Sequence, residues 1–162
     1  MKIPENPLPF SSDLIPLDKC VAYYGPFHDK SQKLHTIIIV YNTGEKIEYF
    51  YITSQIEKAR ERCKYDEKAL VFVNPSEWEI LEKDSCIQCG RRYLKHISVS
   101  KFRELYEKNE VHFCSDVPEQ LIKKIKKAVC YSKTYPPADK AKYINFLSPI
   151  KERIELVHDE KK

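Results

Sequence analysis

His35, Thr53 and Ser54 are the residues whose types and positions are best suited to chemistry. The histidine directly precedes an apolar run at residues 36–41, and the two hydroxyl residues end a β-rich run that begins at residue 47. An imidazole with an ordinary pKa of about 6.5 can act as an acid or as a base at neutral pH. Hydroxyl groups can donate hydrogen bonds to negative charge that develops during a reaction. These three side chains are therefore candidate reacting groups, and any chemistry of this chain is expected where they meet.

Cationic and aromatic residues accompany the predicted reacting groups. Tyr24 and Phe27 lie near the start of a polar, basic loop that ends after Lys33, and Arg91 and Arg92 belong to a later loop. Lysine and arginine bind phosphate groups, and aromatic rings stack on unpaired bases. We expect the first loop, residues 25–35, and the Thr-Ser strand end to share one concave surface.

Each of these assignments has a structural alternative that the sequence leaves open. Ser54 fits the first position of a capping box with Glu57, in which its hydroxyl would only satisfy the first amides of a helix. His35 is also compatible with a histidine whose hydrogen bonds are satisfied at a sheet edge. The aromatic side chains can belong to the core, and Arg91 and Arg92 can be solvated surface residues.

The elements that must position these side chains predict an α+β fold. β-Branched and aromatic runs predict strands near residues 18–24, 36–41, 47–52, 70–73, 85–88, 93–97 and 111–114. Capping residues and apolar spacing predict helices over residues 55–63, from residue 74 onward, and over residues 100–108, 116–132 and 138–147. The turn sequence Asn42-Thr43-Gly44 joins the second and third strands. We expect a small, strongly bent sheet with helices packed outside it.

The chain is long enough for one domain with a substantial core. Of its 162 residues, 42% are hydrophobic and 12% are aromatic, which favours a globular fold over disorder. Residues 1–17 are predicted to be an extended lead-in that is rich in proline. Residues 18–117 are predicted to form the main domain, and residues 118–162 a helical extension packed on it.

Charge and hydropathy restrict the possible surroundings of the protein. The formal net charge of +4 permits a polyanionic partner without requiring one. No apolar run approaches the roughly 18 residues that a membrane-spanning helix needs, and the N-terminus lacks the apolar core of a signal peptide. We therefore expect no membrane association and a cytoplasmic location.

The cysteines raise the question of a metal site. Cys86-x-x-Cys89 is half of a zinc pattern, but no second Cys-x-x-Cys motif exists in the chain. Alternation along a strand would also direct these two thiols to opposite faces. Disulfides are not expected in a reducing compartment. We expect no disulfide, no metal and no cofactor, with a zinc-stabilised interaction module as the alternative. The six cysteines are Cys20, Cys63, Cys86, Cys89, Cys114 and Cys130.

The order of several short motifs resembles the PemK/MazF family of toxins. The resemblance covers residues 18–98, and the helices after residue 117 lie outside it. Thr53 and Ser54 match the family pattern, whereas His35 stands at the position of the family's arginine and Gly90 at that of its aspartate. The motifs are, in order, Pro26-Phe27-His28-Asp29, Lys33-Leu34-His35, an isoleucine-rich strand, a turn, a strand ending in Thr53-Ser54, and Ser85-Cys86-Ile87-Gln88-Cys89.

The resemblance implies an SH3-like barrel, commonly a homodimer, that cleaves single-stranded RNA without a metal. It also implies control by an antitoxin protein that fills the RNA groove. The implied catalytic residues are His35, Thr53 and Ser54, and the implied RNA-binding residues are Lys33, Arg91, Arg92, Tyr24 and Phe27. The alternative is a non-catalytic barrel that binds RNA or a protein partner in the same groove, which the two substitutions favour.

Overall fold

The computed structural model describes residues 19–27 and 33–148 of the chain. Its strands are β1 (Val21–Gly25), β2 (His35–Asn42), β3 (Lys46–Thr53), β4 (Leu70–Val73), β5 (Ser85–Gln88), β6 (Lys95–Ser98) and β7 (His112–Asp116). Its helices are α1 (Ile56–Arg62), α2 (Val99–Glu107), α3 (Glu119–Tyr131) and α4 (Pro137–Leu147). Short 3-10 turns lie at Glu67–Ala69 and Arg91–Tyr93. The α+β class predicted from the sequence is confirmed.

The described strands form one antiparallel sheet centred on β3. The order across the sheet is β4-β5-β3-β2-β1-β7, and β6 is a further partner of β3. One edge of β3 pairs with β2, while its other edge pairs with β6 in its first half and with β5 at Ile52 and Thr53. Irregular register in the β1–β7 and β2–β3 ladders adds local bend and twist. The described sheet is open, with β4 and β7 at its two edges.

The turn between β2 and β3 has the chemistry that the sequence indicates. Gly44 has a φ of 89°, a conformation that a residue without a Cβ adopts readily. Its N–H donates to the side-chain oxygen of Asn42 at 2.8 Å, which closes the turn. The turn fixes the register of the residues next to it. The irregularity between Ile39 and Tyr41 then shifts the register by one residue and so decides which residues face each other at the far end.

Both faces of the sheet are buried. Ile38 and Phe50 belong to a core that includes residues of α3 and α4, among them Ile125. Ile37 and Ile39 belong to a second core on the other face, against α2. Consecutive isoleucines alternate between the faces of a strand, and each of the three is completely buried. The isoleucine run therefore anchors β2 from both sides and holds His35 at its start.

The segment between β4 and β5 corrects one sequence expectation. A helix was predicted from Asn74, but residues 74–84 form turns and bends. The side-chain oxygen of Asn74 accepts from the backbone N–H of Glu77 at 3.2 Å, so the predicted helix start is present locally. Trp78, Ile80 and Leu81 are then all buried in one core. Residues 78 and 80 would lie about 200° apart around a helix, so a helix with a single buried face could not bury all three.

The C-terminal helices pack on the same core as the sheet. Leu121, Ile125 and Ala128 of α3 are buried at helical spacing, while Lys123 and Lys127 are exposed. Burial of this stripe against the sheet stabilises a helix whose opposite side is strongly charged. Among residues 19–27 and 33–148, no helix combines the length and the apolar composition needed to cross a membrane.

Candidate active site

A groove lies where the start of β2, the end of β3 and the turn before β5 come together. Its volume is about 360 Å³. His35, Thr53 and Ser54 all line it, together with Tyr24. The concave surface predicted from the sequence is thus present at the His35 end of the loop, while residues 28–32 of that loop lie outside the described residues. The remaining lining residues are Leu34, Thr36, Ile52, Gln55, Leu81, Glu82, Lys83 and Ser85.

The register of the hairpin sets His35 beside Thr53. Thr36 of β2 pairs with Ile52 of β3, and one further step of this antiparallel register brings His35 opposite Thr53. Directly opposite side chains share a face, with Cβ atoms about 5 Å apart. The imidazole also lies against the ring of Tyr51, with ring centroids 4.9 Å apart. An acid–base group and a hydroxyl group are therefore neighbours on adjacent strands.

The two hydroxyl residues are held differently. The Thr53 Oγ1 atom accepts a hydrogen bond from the backbone N–H of Gln55 at 3.1 Å, which leaves its own proton for another acceptor. Ser54 is exposed, and α1 begins after Gln55 without a side-chain cap. The capping box predicted from Ser54 and Glu57 is therefore wrong. The serine hydroxyl is not used to start the helix and lies in the groove.

Two charged residues of the groove were not singled out by the sequence. Glu82 and Lys83 are exposed on the bends before β5, and both line the groove. Buried Leu81 holds these bends against the core, and the Ser85 hydroxyl donates to the Lys83 carbonyl oxygen at 2.9 Å. Because the sequence predicts a helix here, it did not indicate that this segment lies close to the end of β3. The run Glu-Lys-Asp immediately before a strand is the signal that could have revealed it.

The two aromatic residues predicted to stack on bases occupy different environments. Tyr24 is half-buried and forms part of the groove wall. Phe27 is only 4% exposed, and its ring packs against those of Tyr49 and Phe102 at centroid distances of 5.7 and 6.0 Å. The backbone carbonyl of Phe27 also accepts hydrogen bonds from two tyrosine hydroxyls. Phe27 is therefore a core residue in this structure, and its ring does not face the groove.

The basic residues predicted to bind phosphate do not line the groove. Lys33 is exposed but is not among the lining residues. Arg91 and Arg92 line a separate cavity of about 460 Å³ that shares no residue with the groove. The Nε atom of Arg91 lies 3.3 Å from the Oδ2 atom of Asp139 on α4. Because this contact crosses to the C-terminal helices, sequence proximity to β5 did not indicate where the arginines lie.

All six cysteines lie in the described part of the chain, and none of them forms a disulfide there. Burial raises the pKa of the Cys86 thiol to about 11 and that of the Cys89 thiol well above its ordinary value. Such thiols are protonated at neutral pH and pack as small apolar groups. Within residues 19–27 and 33–148, no group of three or more His, Cys, Asp or Glu side chains could hold a metal ion. The expected absence of zinc stays a prediction that metal analysis can test.

Comparison with known proteins adds no assignment. No family model matches the chain, and no curated protein matches it significantly. These results bear neither for nor against the PemK/MazF resemblance.

Proposed function

We propose that the groove binds single-stranded RNA and cleaves it in the manner of a toxin-type endoribonuclease that needs no metal. The observation that supports this most is the composition of one groove. It gathers an imidazole, a carboxylate, an ammonium group and two hydroxyl groups, from His35, Glu82, Lys83, Thr53 and Ser54. Phosphoryl transfer within RNA needs a base, an acid and donors to the phosphoryl oxygens, and these five side chains supply each.

The proposed reaction transfers the phosphoryl group within the RNA chain. The ribose 2′-hydroxyl attacks the adjacent phosphorus atom, the Glu82 carboxylate takes the hydroxyl proton, and the bond from phosphorus to the 5′ oxygen breaks. The protonated imidazole of His35 gives a proton to that leaving oxygen. The products are a 2′,3′-cyclic phosphate on the upstream fragment and a 5′-hydroxyl on the downstream fragment.

The remaining groove residues act on charge and position in this proposal. The Thr53 hydroxyl, whose oxygen already accepts from Gln55, donates its proton to a non-bridging phosphoryl oxygen. Ser54 and Lys83 add a second donor and a positive charge. Tyr24 offers one ring face to a neighbouring base. Lys33 remains a candidate for contacts with RNA beyond the groove.

The same proposal places the chain with PemK/MazF-like toxins, as a cytoplasmic homodimer of SH3-like barrels controlled by an antitoxin protein. Support comes from the motif order and from the hairpin that ends in Thr53-Ser54. The strand Ser85–Gln88 pairs with the end of that hairpin through Thr53 and Cys86. The change of partner along β3, from β6 to β5, suits a strongly bent small barrel.

A non-catalytic binding module is the second candidate. It is favoured by the position of Arg91 and Arg92, which line a different cavity. Among the described residues, Lys83 is then the only lysine or arginine that lines the groove. With so little fixed positive charge, the groove would suit a protein segment as well as an RNA backbone.

An RNA cleavage assay in the presence of a chelator separates these candidates. We expect the protein to cleave single-stranded RNA and to leave a cyclic phosphate on the upstream fragment. Glu82→Gln should lower the rate by roughly 10²–10⁴-fold, the contribution of a general base. Glu79→Gln is the matched control, because Glu79 is exposed on the same segment but does not line the groove. If the protein binds RNA without cleaving it, the result would favour the non-catalytic binding module. If it neither binds nor cleaves RNA, the result would favour a protein partner for the groove.

A further inference from the structure

Strand β4 is one edge of the sheet, and no described strand pairs with its outer side. The backbone N–H of Cys89 donates to the carbonyl oxygen of Ala69 at 2.8 Å, next to the β4–β5 ladder. Pairs in an antiparallel ladder alternate between hydrogen-bonded and non-hydrogen-bonded. Val71 is therefore turned towards β5, and Phe72 directs its backbone N–H and C=O outward. In agreement, the Lys124 ammonium of α3 donates to the Phe72 carbonyl oxygen at 3.2 Å.

A cleft of about 640 Å³ runs between this strand edge and helix α3. We name it the β4–α3 cleft; Lys68, Leu70, Val71, Phe72, Lys124, Lys127, Ala128 and Tyr131 line it. Two of its aromatic rings are unusually open to solvent, with Phe72 43% and Tyr131 54% exposed. An apolar cleft beside an open strand edge is where an additional strand could bury side chains and pair its backbone.

The rim of the β4–α3 cleft is cationic. Lys124 forms an ion pair with Glu77, and the Lys68 ammonium lies 5.4 Å from the centre of the Tyr131 ring. Lys68 and Lys127 have no carboxylate within 4.0 Å among the residues that the structure describes. The Lys68 and Lys127 ammonium groups therefore form no ion pair within the described residues, and acidic side chains of a ligand would complement them.

We propose that the β4–α3 cleft docks an extended acidic segment of a partner protein, which adds to β4 as a further strand. Alternate apolar side chains of the segment enter the cleft, and its carboxylates meet Lys68 and Lys127. A backbone N–H of the segment replaces the Lys124 ammonium at the Phe72 carbonyl, and the ammonium turns to a partner carboxylate. A nucleic acid could also contact the lysines, but it lacks the regularly spaced N–H and C=O groups that extend a β-ladder. The cleft shares no lining residue with the groove, so this inference does not depend on the proposed function.

Fluorescence anisotropy with a short labelled peptide of alternating Glu and Val tests the docking surface. The full chain should bind this peptide, and binding should weaken as salt rises. Lys68→Glu and Lys127→Glu should each raise the Kd at least about fivefold, because each reverses a rim charge. Lys126→Glu is the matched control on the same helix outside the cleft, and it should change the Kd by less than about twofold. Equal effects of Lys126→Glu and Lys127→Glu, or no binding, would overturn the proposal.

A second probe tests strand addition without altering the protein. The same peptide with every backbone nitrogen methylated has no backbone N–H left to donate to β4, so it should bind at least about tenfold more weakly. Unchanged affinity would show that the cleft does not receive a strand. Single-stranded RNA provides the last comparison. If RNA displaces the acidic peptide and its own binding is lost in Lys127→Glu, the surface binds nucleic acid and the proposal is wrong.

Discussion

The indole of Trp78 ties the segment that carries Glu82 and Lys83 to the far edge of the sheet. Its Nε1 atom donates to the Ser115 Oγ atom of β7 at 2.9 Å, and the residue is 3% exposed. Trp78→Phe keeps an aromatic ring but removes the donor, while Ser115→Ala removes the acceptor. A neutral hydrogen bond contributes about 1 kcal/mol, and a buried donor left without its acceptor costs about 1–3 kcal/mol.

We therefore expect Ser115→Ala to lower the free energy of unfolding by about 1–2 kcal/mol. Trp78→Phe should lower it by about 2 kcal/mol, since the smaller ring also loses buried contacts. The loss of unfolding free energy in the double variant should be about 1 kcal/mol smaller than the sum of the two single losses, because both variants remove the same hydrogen bond. Equilibrium urea unfolding of the four proteins measures this cycle, and Ser115→Thr, which keeps a hydroxyl, is the control. Additive effects within about 0.3 kcal/mol would refute the reasoning.

Four further predictions concern stability and the thiols. Tyr143→Phe should lower the free energy of unfolding by about 1–3 kcal/mol in urea, because the tyrosine hydroxyl donates at 2.9 Å to buried Glu48. In the native protein a thiol reagent at pH 8 should modify the exposed Cys130 rapidly. The same reagent should modify Cys86, whose pKa is raised to about 11, only when the protein unfolds. Mass spectrometry identifies the modified sites. Because the Cys86 thiol ionises more readily once unfolded, stability should fall as the pH rises from about 9 to 11, as urea midpoints would show. Gly25→Ala should lower the melting temperature, since its Cβ would lie 2.9 Å from a valine side chain and 3.0 Å from a carbonyl oxygen.

Local sequence signals were sufficient where one physical preference decides the structure. The strands at residues 70–73 and 85–88 have the bounds that β-branched and apolar residues predict. The isoleucine strand and the Asn-Thr-Gly turn form a hairpin, and this hairpin brings His35 and Thr53 together. The proximity of these two strand ends could be predicted because the outer ends of a hairpin lie side by side. The irregularity between Ile39 and Tyr41, which sets His35 opposite Thr53 and not Ser54, could not be predicted from the sequence.

The remainder depended on contacts between distant residues. Phe27 is an aromatic residue of the type that stacks on RNA bases, but its ring is buried against α2. The sequence does not reveal this contact. Arg91 is drawn to Asp139, which lies 48 positions later in the chain. Glu82 reaches the groove because the apolar residues before it bury in one core, an arrangement that overrides the helix signal at Asn74. Tertiary packing, rather than local propensity, decides each of these positions.

The proposed RNA cleavage depends most directly on proton transfer by His35. The most direct measurement is the single-turnover rate of cleavage of a single-stranded RNA in chelator, with wild type, His35→Ala and His96→Ala. His96 lies in the cavity of Arg91 and Arg92, outside the groove, and serves as the histidine control. His35→Ala should lower the rate by roughly 10²–10⁴-fold, as expected for a general acid, and His96→Ala should leave it nearly unchanged. Equal rates for wild type and His35→Ala, or equal losses in the two variants, would contradict the account.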